Sequence, residues 1–342
     1  MVDAGNRTDR PPVEGFLEAF RGVRKALLLP HDNPDPDGLA GAFALRHLLI
    51  IHGIDAVVAF GGMIGRAENR AMVRTLGLDP TPLSTLDVAE FDAVALIDAQ
   101  PGTGNNPVTA DAAIRAVIDH HPLLAPLDNV SFVDIRPEYG ATATIVTEYA
   151  RDAGVELPTD IATALFYAIR SETQDLGREA SPADREAYVE LLMQADMSAV
   201  ARIQRARVPR EYFGTYLRAI RGARVHGHVV LTDLGVVSSA DHVAEIADFL
   251  LRLREVTWSA CVGRHRDTLA VSLRTTDPFA HAGYAIRRAI EGLGTAGGHG
   301  TMAGGQVPVS DETAEEIAEE VKLRLLKELG AEPGEGAPLA QD

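Results

Sequence analysis

The run Leu27-Leu28-Leu29-Pro30-His31-Asp32-Asn33-Pro34-Asp35-Pro36-Asp37-Gly38 decides how this chain is read. An apolar stretch stops abruptly, and a histidine and spaced aspartates follow at once. Leu39 to His52 then reads as a mostly apolar helix. A buried strand that empties into such a loop holds several metal-type ligands at one fixed point.

Working outward, the same pattern recurs. Val13 to Arg24 reads as a short helix leading into the strand Lys25 to Pro30. Asp55 to Phe60 is a strand, and a helix is expected from near Arg66 to before Gly77. The strand Asp92 to Ile97 stops at Asp98. A loop rich in Gly, Asn and Pro follows, Gln100 to Pro107. Ala116 to Ile118 stops at Asp119-His120-His121, and Ser131 to Asp134 is another strand. Helices are expected over Ala141 to Ala153, Asp160 to Arg170 and Ser181 to Met197. Alternating strands and helices imply an α/β fold, a largely parallel doubly wound sheet with helices on both faces. Sites in such sheets form beyond the carboxyl ends of the strands. One sheet edge would therefore collect His31, Asp35, Asp37, Asp98, Asp119, His120 and His121.

Residues 198–224 carry seven arginines and read as a connector between domains, most simply as a solvated helix face. A smaller α/β domain follows. Val229 to Val237 is a strand and Asp241 to Arg254 a helix. Val256 to Val262 and Thr268 to Arg274 are consecutive strands with a turn around Arg264 to Asp267. Ala280 to Glu291 and Glu312 to Leu329 are helices. Between those two helices lies Gly297-Gly298-His299-Gly300-Thr301-Met302-Ala303-Gly304-Gly305. The expected organisation is a disordered segment 1–12, a first domain 13–197, the connector 198–224, a second domain 225–329 with a cleft between the two, and a loose tail 330–342.

Composition bounds the function. The 342 residues carry a formal net charge of -17, with 32 basic against 49 acidic side chains. That argues against broad, charge-driven binding to long double-stranded nucleic acid and leaves room for a local basic pocket. Cys261 is the only cysteine, so neither an intrachain disulfide nor a cysteine-based zinc site can form. Met1 to Gly15 has no apolar core of a secretory signal, and Arg46, His47 and His52 break the best candidate for a membrane span. A cytoplasmic protein is the simplest expectation.

Carboxylates and imidazoles mixed at one edge suit Mn²⁺ or Mg²⁺ better than Zn²⁺. Two such ions about 3.5–4 Å apart, sharing a carboxylate, are an arrangement used for in-line attack on phosphorus. Asp98, alone at a strand end, is the candidate for the shared ligand. An isolated Asp-x-Asp or His-His is ordinarily surface polarity; four segments converging on one edge are not.

The set His31-x3-Asp35-x-Asp37, Asp98 and Asp119-His120-His121 resembles the DHH phosphoesterase superfamily. Gly297-Gly298-His299 with Ala303-Gly304 resembles the glycine-rich motif of the DHH-associated domain. The resemblance covers about residues 20 to 325 and is nearest to the oligoribonuclease/pAp-phosphatase type, with RecJ-like exonucleases as cousins. It implies that His31 and Asp35 bind one Mn²⁺, that Asp37 and His120 bind a second, and that Asp98 bridges them. It further implies that Asp119 orients its neighbouring imidazole and that His121 meets the substrate phosphate or protonates a leaving oxygen. Arg274 and the Gly297, Gly298, His299 run would contact substrate. Where the family has an Asp-Thr pair, this chain has Glu172-Thr173, so Glu172 or Asp175 is the last metal ligand. Gly41-Ala42 stands where the family often has Gly-Ser. Trp258, Cys261 and Met302 read as core.

The implied activity is two-metal hydrolysis of phosphoester bonds in short oligonucleotides or 3′-phosphorylated nucleotides such as pApA and pAp. The alternatives are a pyrophosphatase or polyphosphatase, a cyclic-dinucleotide phosphodiesterase, and a nucleotide-binding regulator that has lost turnover through the Asp-to-Glu change. No membrane partner is expected, and the oligomeric state is left open, a homodimer included.

Overall fold

The structure is a computed structural model and describes residues 10–106, 108 and 113–340. It separates into two compact units, residues 1–206 and 207–342. Among its described residues the first holds six strands: β1 (Lys25–Pro30), β2 (Asp55–Phe60), β3 (Thr81–Pro82), β4 (Ala93–Ile97), β5 (Ile114–Asp119) and β6 (Phe132–Ile135). All are parallel, in the order β3-β2-β1-β4-β5-β6. The chain winds outward from β1 in one direction and then restarts on its other side with β4. The crevice between the ends of β1 and β4 is therefore the point where ligands of such sheets bind.

Among the described residues seven helices accompany this sheet: α1 (Pro12–Ala19), α2 (Pro36–Ile51), α3 (Ala67–Leu76), α4 (Thr142–Asp152), α5 (Thr159–Glu172), α6 (Pro182–Leu192) and α7 (Met197–Gln204). The leucine run of β1 explains the sheet's two-sided burial. Leu28 joins the core shared with the helices, while Leu27 and Leu29 point to the opposite face. That opposite face differs from expectation. It is covered by Leu83, Leu86, Val88, Phe91, Leu127 and Val130, with no α-helical residue among them. The reason is the crossovers: between α3 and α4 the described chain has no α-helix, and strands β3 to β6 are joined there by two short 3₁₀ turns and loops.

Two helix boundaries also moved. The helix expected from Leu39 begins at Pro36, because Asp35 caps it, its carboxylate accepting from Asp37 N at 2.9 Å and Gly38 N at 3.2 Å. Proline at the first helical position loses no hydrogen bond. Asp37 is thereby lifted onto the first turn of α2. Gly38 must be small there, since a Cβ would lie 2.8 Å from Pro30 Cβ. The single helix expected over 181–197 is instead α6 and α7, divided where Asp196 caps α7 by accepting from Ser198 N and Ala199 N. Of the segment 1–12, residues 1–9 lie outside the described residues and Pro12 opens α1; Pro107 of the loop after β4 also lies outside them.

The second unit opens with α8 (Arg210–Gly222), so the expected connector is largely helical. Its strands are β7 (Arg224–His226), β8 (Val229–Val236), β9 (Trp258–His265), β10 (Thr268–Thr275), β11 (Thr295–His299), β12 (Met302–Pro308) and β13 (Ala337–Pro338), in the order β11-β12-β10-β9-β8-β7-β13. Only β8 and β9 pair in parallel, joined through α9 (Asp241–Leu250). Helices α10 (Ala282–Ala289) and α11 (Ala314–Glu328) pack on one face of this sheet, α8 and α9 on the other. Cys261 is fully buried and Trp258 packs against the first of these cores. The segment expected as a loose tail from residue 330 is tied down at Ala337–Pro338, where β13 pairs with β7. Among the described residues no helix is long and apolar enough to cross a membrane.

One buried carboxylate anchors the approach to α4. Asp184, fully buried, accepts from Gly140 N at 2.8 Å, Ser181 N at 2.7 Å and Thr144 Oγ1 at 2.5 Å. Asp184→Ala strands those buried donors and should lower the unfolding free energy by about 1–3 kcal/mol, more than Asp184→Asn, in urea titrations.

Candidate metal centre

His31, Asp35, Asp37, Asp98, Asp119, His120 and His121 sit where β1, β4 or β5 ends or where α2 begins, and Glu172 closes α5. Asp98 follows β4 with a left-handed backbone, φ 56°, and its N–H donates to Ile118 O at 2.9 Å. Such a conformation costs an ordinary side chain energy and is found where surrounding structure enforces it. The turn aims one carboxylate between two imidazoles. Asp98 Oδ2 lies 3.6 Å from His31 Nε2, and Asp98 Oδ1 lies 3.6 Å from His120 Nε2.

Both imidazoles are pinned through their other nitrogen. His31 Nδ1 pairs with Asp32 O at 2.8 Å, and His120 Nδ1 with Tyr139 O at 3.1 Å. A carbonyl can only accept, so Nδ1 carries the proton and Nε2 is left facing the carboxylates, the tautomer a metal-binding histidine needs. Asp35 Oδ1 stands 3.7 Å from His31 Nε2, and Asp37 Oδ2 stands 3.9 Å from His120 Nε2. Asp37 is held in turn by the N-terminus of α4, accepting from Thr142 N at 2.7 Å and Ala143 N at 2.8 Å. The donor atoms of His31, Asp35 and Asp98 lie within 4.8 Å of one another, as do those of Asp98, His120 and His121. Asp98 is common to both clusters, and the donor set fits hard divalent cations.

His121 differs from its neighbour. Its Nδ1 is 2.9 Å from Asp119 Oδ1 and 3.4 Å from Asp98 Oδ1. The shorter contact, with Asp119 also accepting from His121 N at 3.0 Å, makes Nδ1 a hydrogen-bond donor to Asp119 and not a ligand atom. Its side chain is 39% exposed, whereas that of His120 is 8% exposed, so His121 is the imidazole a substrate can reach.

Electrostatics follow from crowding. Burial alone would lower the pKa of His31, but the Asp35 hydrogen bond and the charges of Asp35 and Asp98 raise it to about 10. Burial likewise opposes, and Asp119 and Asp98 outweigh it, for His121, pushed up to about 12. Burial opposes ionisation of Asp98 too, yet His121, His120 and His31 hold its pKa below the usual range. Asp37 is raised well above its ordinary value, first by burial and then by Asp98, Asp35 and Glu172. Without cations the pocket has more carboxylate than it can keep ionised.

The two options for the last acid separate. Glu172, the final residue of α5, feels Asp35, His120 and Asp98 and pairs with Arg178 at 3.3 Å. Asp175 pairs instead with Arg170, its side chain 57% exposed. Three supports went unnoticed in the sequence. Gln100, buried, donates to Asp119 Oδ2 at 2.8 Å; Thr142 Oγ1 donates to Asp98 Oδ1 at 3.1 Å; and Asn105 O accepts from Asp32 N. Nothing in their spacing marks them, because each acts through a partner distant in the chain.

The second-unit candidates are placed differently. Arg274 is buried and bonds Asp248 Oδ1 at 2.6 Å, Ser272 Oγ at 2.8 Å and two backbone carbonyls, so internal partners engage it. Gly297 and Gly298 lie on the edge strand β11, both exposed. Gly298, φ 142°, has no room for a side chain, since a Cβ would meet Met302 O at 2.4 Å, whereas a Cβ on Gly297 would meet open space. The His299 side chain lies outside the described residues.

Residues 25–169 match the DHH family, N-terminal domain. An uncharacterized protein of Methanocaldococcus jannaschii is 33% identical over 328 residues, 92% of this chain and 66% of that protein. A "probable manganese-dependent inorganic pyrophosphatase" of Deinococcus radiodurans is 31% identical over 144 residues, 42% of this chain and 45% of its own length. The chain thus spans a little under two thirds of the first relative and under half of the second. The crystal structure of an exopolyphosphatase-related protein from Bacteroides fragilis superimposes with a TM-score of 0.74 at 17% identity, covering 92% of this chain and 96% of that one, a likeness of fold.

Imidazoles protonated in the metal-free protein must release protons when an ion binds. Mn²⁺ affinity should therefore rise between pH 6 and pH 9, with proton release visible in calorimetry across buffers of different ionisation enthalpy. Binding independent of pH would contradict the ligand assignment of His31.

Proposed function

With its N-terminal unit a DHH-family domain, this chain belongs to the DHH phosphoesterase superfamily, and we propose that it is a Mn²⁺-dependent hydrolase of short oligonucleotides or 3′-phosphorylated nucleotides. The observation that carries the reading is the Asp98 carboxylate set 3.6 Å from each of two imidazole Nε2 atoms. His31 and Asp35 would hold one ion, Asp37 and His120 a second, with Asp98 common to both and Glu172 at the margin. When bound, divalent ions supply neutralisation of charge at the phosphoryl oxygens and water acidified to near neutral pH.

The protein's own groups do the rest. Asp119 accepts the Nδ1 proton of His121 and fixes the ring, while Gln100 fixes Asp119. His121, kept protonated by these carboxylates, is the general acid for the leaving oxygen. The α4 N-terminus holds Asp37 through two N–H groups, so this ligand does not reorganise when substrate arrives. The acidic balance of the chain supports a short substrate.

A second reading is pyrophosphate hydrolysis, favoured by the N-terminal likeness to the Deinococcus radiodurans protein. It needs neither base nor sugar. A panel of pApA, pAp and pyrophosphate with Mn²⁺ separates the two. Release of mononucleotide or of phosphate from pAp is expected; no turnover of either with metal demonstrably bound would defeat the substrate assignment, and turnover of pyrophosphate alone would install the rival. His121→Ala should cut kcat by about 10²–10⁴-fold with Mn²⁺ binding retained. Asp98→Ala should weaken both ions in calorimetry, whereas His31→Ala should remove one.

A further inference from the structure

The arginines of residues 202–224 remain unused by the metal centre. That segment holds seven arginines and one acid, Glu211, in a chain of net charge -17. Five of them belong to the second unit, and while Arg224 is half-buried, the four at or beside α8, Arg207, Arg210, Arg218 and Arg221, are exposed. None of the four pairs with a carboxylate among the described residues; only Arg218 has a side-chain bond, to Thr215 Oγ1 at 3.2 Å. The folded state therefore gains no ion pairs from this charge.

The helix explains which way they face. Its inner side is anchored: Ala219 is fully buried, Tyr216 packs 5.4 Å from Phe249, and the Tyr212 hydroxyl bonds Glu245. Arg210, Phe213, Leu217 and Arg221 fall at i, i+3, i+7 and i+11, one stripe on the opposite side. Phe213 is 65% exposed and Leu217 51% exposed. Gly214 lies beside the stripe, where a Cβ would meet only Arg218 Nη1, at 3.9 Å. Arg210 also sits on the first residue of α8, at the positive end of the helix dipole, where a cation is disfavoured. Cations without partners, an exposed ring between them and a small residue alongside are the elements of a single-strand platform: cations for phosphates, an aromatic face for a base.

We propose that the outer stripe of α8 binds single-stranded nucleic acid, with Arg210 and Arg221 on phosphates and Phe213 stacked on a base. The inference deepens the function proposed above and rests on it for the choice of ligand. The stripe is about 16 Å long, the reach of a few nucleotides. It is too narrow to bury the roughly 1,200 Å² or more of a stable protein interface by itself, which favours a strand over a second copy of the chain.

The test uses a fluorescent, hydrolysis-resistant phosphorothioate decaadenylate and the Mn²⁺-loaded full chain, read by anisotropy. Arg210→Glu with Arg221→Glu should raise Kd at least tenfold and make the logarithmic salt slope shallower by about 1.4, two phosphates' worth. Phe213→Ala should raise Kd about tenfold with the salt slope unchanged. All of these residues are exposed, and circular dichroism with Mn²⁺ calorimetry checks that fold and metal centre persist. Unchanged Kd in both variants overturns the inference. So does self-association, seen by ultracentrifugation, that Phe213→Ala abolishes while strand binding stays intact. Because binding is read without turnover, α8-dependent binding in a chain that cleaves neither pApA nor pAp would defeat the proposed reaction and leave this inference standing.

Discussion

Carboxylates gathered in a pocket repel one another, and burial makes each charge harder to hold. Asp37 and Asp98 are buried, Asp35 and Glu172 half-buried, and all four interact electrostatically. Leaving them without cations is costly. The protein answers in part with His31, His120 and His121, and the unmet remainder is the chemical demand for divalent ions. The elements around the pocket serve to keep these acids where they repel: the cap of α2 holds Asp35, the N-terminus of α4 holds Asp37, and the left-handed turn after β4 holds Asp98.

This geometry ties stability to chemistry. A ligand held by a helix N-terminus has its charge stabilised by peptide dipoles and little freedom to move. The same contact fixes α4 against α2, so the pocket cannot loosen without disturbing the helical core. Asp184 extends the chain of support outward, from the capping box of α6 to the turn that precedes α4. The metal centre is thus the inner end of a hydrogen-bond network that runs through the helical layer.

The second unit is built on another plan. Its sheet is mixed and has helices on both faces, and its glycine-rich hairpin owes at least one glycine to packing, since Gly298 has no room for a side chain. Arg274, which reads in the sequence as a substrate contact, is occupied by Asp248 and by carbonyls of its own sheet. A buried guanidinium needs partners for its donors, and this fold supplies them internally.

What the sequence by itself determined is the parallel architecture and the edge at which the acids and imidazoles collect. Short apolar runs that stop at His31, Asp98 and Asp119, alternating with helical stretches, read as buried strands, and parallel strands end on one side. It also carried the family resemblance, through motifs whose order and spacing survive in the linear chain. Tertiary structure alone decided the rest, because each of those decisions rests on atoms far apart in sequence. The Asp119 contact separates His121 from His120 in role, Arg170 draws Asp175 away while Glu172 stays near the acids, and Gln100 and Thr142 take up supporting positions. Hydrogen-bond direction and distance decide such matters, and neither is written in residue spacing.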